Sequence, residues 1–126
     1  MPATRFVVER LLSSNLDFAQ ILIVVPPGRE VEYERALQGL GCRIITQPNA
    51  FGTGDAVHEA LDHLLAPIEN VYISFGTQPL VQTETVEGCL EHHVENGLAF
   101  TLATVIMDDP YAPLLRDEAG RVTGSV

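Results

Sequence analysis

The sequence predicts an α/β domain built on a largely parallel sheet sandwiched by helices. Three observations predict it. Apolar, β-branched runs alternate with segments whose apolar residues recur at helical spacing through most of the chain. The run Gln20-Ile-Leu-Ile-Val-Val25 is continuously apolar after its glutamine, the pattern of a strand covered on both faces. Turn formers stand where each element should stop, at Pro26-Pro27-Gly28, Gly41 and Gly97. A chain of 126 residues, 46% hydrophobic and without repeats, linkers or low-complexity tracts, is the size of one domain with a core of its own.

In order, residues 3–13 place Phe6, Val7, Leu11 and Leu12 on one side and Arg5, Glu9 and Arg10 elsewhere, which is an amphipathic helix. The strand over residues 20–25 follows. Residues 29–40 are helical by pattern and stop at Gly41. A second strand over 42–46 enters a glycine-bearing loop, and Ala56, Ala60, Leu61, Leu64 and Leu65 mark the helix over 54–65. Residues 70–75, Asn-Val-Tyr-Ile-Ser-Phe, read as a third buried strand, with 76–80 as the turn at its carboxyl end. Thr83 opens a helix with Glu84, Glu87, Glu91 and Glu95 on its wet side and Val86, Leu90 and Val94 inward, ended by Gly97. Residues 98–107 are β-rich and Asp108-Asp109-Pro110-Tyr111 breaks them. Two short strands, 114–116 and 121–123, are joined by Asp117-Glu118-Ala119-Gly120 as a hairpin turn.

Charge narrows the function. Seventeen acidic against seven basic residues give a net charge of −10, which argues against nucleic acid or an anionic membrane as a general partner. All seven basic residues are arginine, so chemistry that depends on a lysine amine is excluded for this chain acting alone. No apolar run is long enough to cross a bilayer and no leader pattern opens the chain, so the expectation is a soluble cytoplasmic protein. Cys42 and Cys89 are expected as reduced, buried small hydrophobes. His92 and His93, beside Glu91 and Glu95, point about 100° apart on a helix and are expected to face solvent rather than a metal.

The most informative stretch is Gln47-Pro-Asn-Ala-Phe-Gly-Thr-Gly-Asp-Ala-Val-His-Glu-Ala-Leu61. Gly52 and Gly54 allow close approach of a ligand to the backbone, and Thr53 or Asp55 can cap the helix that follows. Such a strand–loop–helix presents main-chain donors to phosphates or to a flat base with amide edges. The same residues also make an ordinary helix cap. What favours a ligand is location, because in parallel sheets ligands bind beyond the carboxyl ends of strands, where this loop and the one at 75–80 both fall.

Taken together these residues resemble the nucleotidyltransferases (the MobA-like NTP transferases) that join a sugar 1-phosphate to a nucleoside triphosphate, most closely those of the N-acetylglucosamine-1-phosphate uridyltransferase type. The resemblance rests on Gln47 five residues before Gly52-Thr53-Gly54-Asp55-Ala56, on Phe75-Gly76-Thr77-Gln78-Pro79-Leu80, and on Asp117-Glu118-Ala119-Gly120-Arg121-Val122. It implies a Rossmann-like, mostly parallel sheet flanked by helices with a small C-terminal antiparallel hairpin, and a nucleotide site at Gln47, Gly52, Thr53, Phe75 and Gly76. Gln47, Gly52 and Thr53 would read the pyrimidine. It also implies departures. The family's Mg²⁺-binding Asp is Thr77 here, a neutral hydroxyl in place of a carboxylate. The phosphate-wrapping loop, its lysine and the sugar-binding half have no counterpart, so a single truncated nucleotidyltransferase-like domain is expected over 1–126. The activity implied is uridyltransfer, impaired in this chain alone; the alternative is a non-catalytic nucleotide-binding or assembly module of the same fold. A flavodoxin- or receiver-type domain is disfavoured because no strand ends in a lone Asp. The partners implied are a nucleoside triphosphate or sugar nucleotide. A homodimer is also expected, because residues 20–25 and 70–75 must either pair directly or have the gap between them filled by a second copy.

Overall fold

The computed structural model describes residues 3–65 and 67–126. Its centre is a parallel pair, β1 (Leu22–Val25) and β2 (Arg43–Thr46), in a register that sets Leu22 against Arg43 and Val25 against Thr46. The Arg43 N–H donates to the Ile21 carbonyl at 2.9 Å and the Gln47 N–H to the Val25 carbonyl at 2.9 Å, so the ladder extends one residue beyond each strand end. Parallel neighbours need a crossover, and α1 to α4 are here numbered in chain order: α1 (Ala3–Leu12), the crossover α2 (Glu30–Ala36), α3 (Thr53–Leu61) and α4 (Thr83–Glu95). Gly28, at φ 81°, makes the turn out of β1 that a residue with a Cβ would resist. Thr46 Oγ1 donates to Glu30 Oε1 at 2.9 Å, tying the start of α2 to the end of β2.

Helix α1 joins the two halves of the chain. Arg5 donates to the carbonyl oxygens of Ala36 (2.8 Å) and Gln38 (3.4 Å), while Thr4 donates to Gly76 O at 3.3 Å and Arg10 to Pro79 O at 3.4 Å. Val8, Val25, Leu37, Ile45 and Val86 are buried, one each from α1, β1, the end of α2, β2 and α4. A C-terminal antiparallel hairpin pairs β3 (Leu114–Arg116) with β4 (Val122–Ser125). Its turn is held by Asp117, whose carboxylate accepts the N–H groups of Ala119 (3.0 Å) and Arg121 (2.9 Å).

The α/β class, the parallel pair flanked by helices and the hairpin are as the sequence implies; the sheet is smaller. Residues 70–75 form no strand, and Val71, Tyr72, Ile73 and Phe75 are exposed. Residues 98–107 form none either. The direct pairing expected between 20–25 and 70–75 does not occur, because the one ladder of β1 runs to β2. The physical reason is that β-propensity needs a neighbour to satisfy its N–H and C=O groups. A run without one stays an open chain. For the same reason β1 is mostly half-buried, with Val25 alone inside. The first helix buries Val8 rather than Phe6 or Val7, and Val94 of α4 lies exposed. Helices α2 and α3 stop earlier than their patterns suggest, at Ala36 and Leu61. The chain exposes 9389 Å², against roughly 6,600 Å² for a compact monomer of its mass.

Candidate functional site

Gln47 leaves the sheet with its backbone already fixed, since its N–H closes the last rung with Val25. Its side chain turns back toward the start of α3. There Nε2 donates to Gly52 O at 3.2 Å and to Asp55 Oδ2 at 2.6 Å. Both neighbours are acceptors, so only the nitrogen of the amide can face them, and the carbonyl Oε1 is turned outward. The amide is therefore oriented before any ligand arrives.

Gly52 is the residue before α3, at φ 109° and ψ −175°, a conformation that a side chain would strain. Its carbonyl accepts the Ala56 N–H at 3.2 Å, the first bond of the helix. The N–H groups of Thr53, Gly54 and Asp55 precede that bond and have no partner within the helix. Neither Thr53 nor Asp55 caps the helix as expected: no side chain makes a cap bond there, and the Asp55 carboxylate is engaged by Gln47. Thr53 and Phe51 are exposed at the mouth of the loop. The site thus offers N–H donors beside one amide oxygen. With a carboxylate in the first turn and no lysine or arginine in sequence between Arg43 and Arg116, it suits a neutral base edge better than a phosphate.

The far end of α3 is anchored as well. Gln20 Nε2 and Arg43 Nη1 both donate to His63 O, at 3.2 and 3.1 Å, and the Leu65 N–H donates to Gln20 Oε1 at 3.2 Å. Sequence reasoning named Asp55 only as a cap and missed both its hold on Gln47 and this clamp. Their partners lie eight residues away for Asp55 and 43 and 20 away for Gln20 and Arg43, and no periodicity connects them.

Phe75 and Gly76 lie in the other loop. Phe75 is half exposed, and Gly76 serves α1, since a Cβ there would stand 2.9 Å from Thr4 Oγ1. Among the described residues no hydrogen bond links this loop to Gln47, Gly52 or Thr53. The cleft beside it, lined by Val7, Arg10, Tyr72, Ser74 and Pro79 among others, has an internal volume of about 20 Å³, room for a water molecule rather than a nucleotide. Thr77 is exposed, and no carboxylate occurs in sequence between Glu69 and Glu84. Protein sites for Mg²⁺ supply at least one or two carboxylates beside water and phosphate oxygens, so the residues around Thr77 do not fit Mg²⁺. Among the described residues no three His, Cys, Asp or Glu side chains gather as a metal group. His92 is exposed as expected, but His93 is half-buried, its Nδ1 3.0 Å from Thr101 Oγ1. Both cysteines are free and half-buried rather than buried, and desolvation pushes the Cys42 thiol up.

Several curated proteins align with nearly the whole chain. The bifunctional protein GlmU of Geobacillus thermodenitrificans is 33% identical over 123 residues, 96% of this chain and 26% of that protein. GlmU of Sorangium cellulosum is 33% identical over 98% of this chain and 27% of its own length. GlmU of Stutzerimonas stutzeri reaches 38% over 84% of this chain and 23% of its own. The chain is related to GlmU. It spans about a quarter of the length of these GlmU proteins. No family model and no solved structure matches it. At 96 and 98% of this chain, the matches to the first two span the parallel pair, its loop and most of the C-terminal hairpin. No helix among the described residues is long and apolar enough to cross a membrane.

Proposed function

We propose that this chain carries the nucleotide-recognition part of a sugar-1-phosphate uridyltransferase-type nucleotidyltransferase, with Gln47, Gly52 and Thr53 reading uracil; Phe75 and Gly76, on the loop that packs against α1, are given no part in it. The observation that carries the reading is the fixed Gln47 amide. Uracil presents acceptor, donor and acceptor along its edge. Its N3–H matches the outward Oε1 of Gln47, and a flanking carbonyl oxygen matches the unpartnered N–H groups at the start of α3. Cytosine has a bare acceptor at N3 and would set oxygen lone pair against nitrogen lone pair. The amide cannot simply flip to suit it, because flipping would turn Oε1 onto the Asp55 carboxylate and the Gly52 carbonyl.

The transfer step is impaired in this reading. Attack of a sugar phosphate oxygen on the α-phosphorus, with pyrophosphate leaving, is driven by charge neutralisation and in-line positioning. This chain has no lysine, and Thr77 stands where a cation-binding carboxylate is needed. No step is therefore assigned to a metal. The second reading, a binding or assembly module without turnover, is favoured by Thr77 in particular. The partners in both readings are a uridine nucleotide or sugar nucleotide and a second copy of the chain.

Titration calorimetry with UTP and CTP, with and without Mg²⁺, tests the proposal. The expected result is metal-independent binding of UTP over CTP by tenfold or more, lost in Gln47→Ala. Equal binding of both nucleotides, or binding that survives Gln47→Ala, would overturn the base-reading assignment. Mg²⁺-dependent release of pyrophosphate would overturn the account of Thr77.

A further inference from the structure

We infer that Asp55 decides which pyrimidine this site accepts, as a positioning residue that acts through Gln47 without touching the base. The inference rests on the base-reading assignment above and adds to it the group that enforces the choice.

An amide side chain is by itself indifferent to uracil and cytosine. Half a turn about its last bond exchanges an acceptor for a donor, and that torsion is broad and nearly two-fold, so at an open position both settings are available. Selectivity has to come from whatever holds the amide. Here two groups hold it: the Gly52 carbonyl accepts from Gln47 Nε2 at 3.2 Å in an exposed position, and the Asp55 carboxylate accepts at 2.6 Å in a half-buried one. Between them they take up both N–H groups of the amide, which leaves Oε1 alone for a ligand.

The two holders are unequal. A hydrogen bond with one ionised partner is shorter than a neutral one and about twice as strong. Against a flipped amide the Gly52 carbonyl sets a partial charge, whereas the carboxylate sets a full one. An ionised carboxylate has acceptor lone pairs only, so Asp55 cannot adapt to the flip by turning its own side chain. Among the described residues no arginine is paired with Asp55, and the contact with Gln47 is the one hydrogen bond its carboxylate makes. Its charge is thus directed at the amide.

Both ends of the contact are held in place. The Gln47 backbone closes the ladder with Val25, and the chain beyond α3 is clamped at His63 O by Gln20 and Arg43. Asp55 also makes no cap bond, so the N–H groups that open α3 stay free for the flanking carbonyl of a base. One side chain therefore fixes the acceptor of the site and leaves its donors open.

Asp55→Asn tests this, because it keeps the shape of the side chain and supplies a group that can turn a donor toward Gln47. Calorimetric titration of the full chain with UTP and CTP, without Mg²⁺, should show a preference for UTP of about tenfold or more. In Asp55→Asn that preference should fall to about threefold or less, with CTP bound more tightly than by the unsubstituted chain. Gained affinity for CTP cannot come from damage to the fold. The Gln47 side-chain N–H signals of the nucleotide-free protein give a second readout, since the proton facing the carboxylate should move upfield in Asp55→Asn. Should that variant fail to fold by circular dichroism, Asp55→Ser, whose hydroxyl can donate or accept, carries the same comparison. A variant that keeps the full preference for UTP, or Gln47 signals that do not move, overturns this inference while the base-reading site stands. Weaker UTP binding with no gain for CTP makes Asp55 a structural residue and overturns it as well. An unsubstituted chain that does not distinguish UTP from CTP overturns the base-reading assignment and this inference together.

Discussion

Residues 21–25 and 70–75 are close to interchangeable as sequence: short, uncharged, rich in Val, Ile and aromatic or leucine side chains. One is a strand and the other is not. The first receives Arg43–Thr46 as a parallel neighbour through the brief α2 crossover, and those of its carbonyls and amides that face β2 are met along the ladder. The second ends at a turn whose Gly76 and Pro79 carbonyls accept from α1, and its Tyr72 and Ser74 line a small cleft beside that helix, with Ile73 left 59% exposed. Strand formation is thus decided by the arrival of an edge at the right distance, and side-chain preference alone does not decide it.

The largest expected effect separates the two runs directly. Ile45→Ala, at a position 3% exposed in the ladder, should cost about 2–5 kcal/mol in denaturant unfolding. Ile73→Ala at 59% exposure should stay within about 0.5 kcal/mol. Comparable losses at both positions would mean that residues 70–75 are packed as well as β2 is.

Next in size is the contact that holds residues 70–76 to the rest. A Cβ at Gly76 would approach Thr4 Oγ1 to 2.9 Å, so Gly76→Ala should cost about 1–3 kcal/mol through displacement of α1. Adding Thr4→Ala should recover most of that loss, and a thermal melt of the double variant that matches Gly76→Ala alone would show that α1 does not rest there.

Much of this was legible in the chain. The α/β class, the parallel pair, its glycine-bearing loop and the hairpin followed from continuous apolar runs, from Pro26-Pro27-Gly28, and from Gly120 at φ 78° closing the Asp117 turn. The third strand was not legible as an error, because a β-branched run carries no mark of whether a partner will reach it. In the site, Gln47 and Gly52 stood out by spacing and do touch. The grip of Asp55 on Gln47 did not, since a first-turn aspartate reads from sequence as a cap, and only the backward turn of its side chain assigns it to the amide.

A smaller effect contrasts the hairpin with the parallel pair. Asp117 is held below the usual carboxylate range first by the Arg121 N–H and then by the Arg121 guanidinium and the Ala119 N–H. A depressed folded-state value means that its contribution is full above the ordinary aspartate value and is lost as pH falls through the lowered one. Amide shifts of Val122–Ser125 should therefore move on acidification before those of Leu22–Val25, whose own rungs are backbone to backbone and whose nearest carboxylate contact, Glu30 on Thr46, lies on the neighbouring strand. Simultaneous movement would show that the two ribbons unfold as one. The smallest effect is expected at the exposed Arg29–Glu32 pair, where Glu32→Gln should leave the denaturant midpoint unmoved at low and at high salt.

Helix α3 is riveted to the sheet at both ends by glutamine amides, Gln47 at its head and Gln20 at its tail. Neither rivet is an ion pair between two mobile charges, so neither is dissolved by raising ionic strength. The strand, loop and helix should accordingly travel as one stiff plate from dilute buffer to brine, keeping their mutual angle while the charged exterior of this acidic chain rearranges around them.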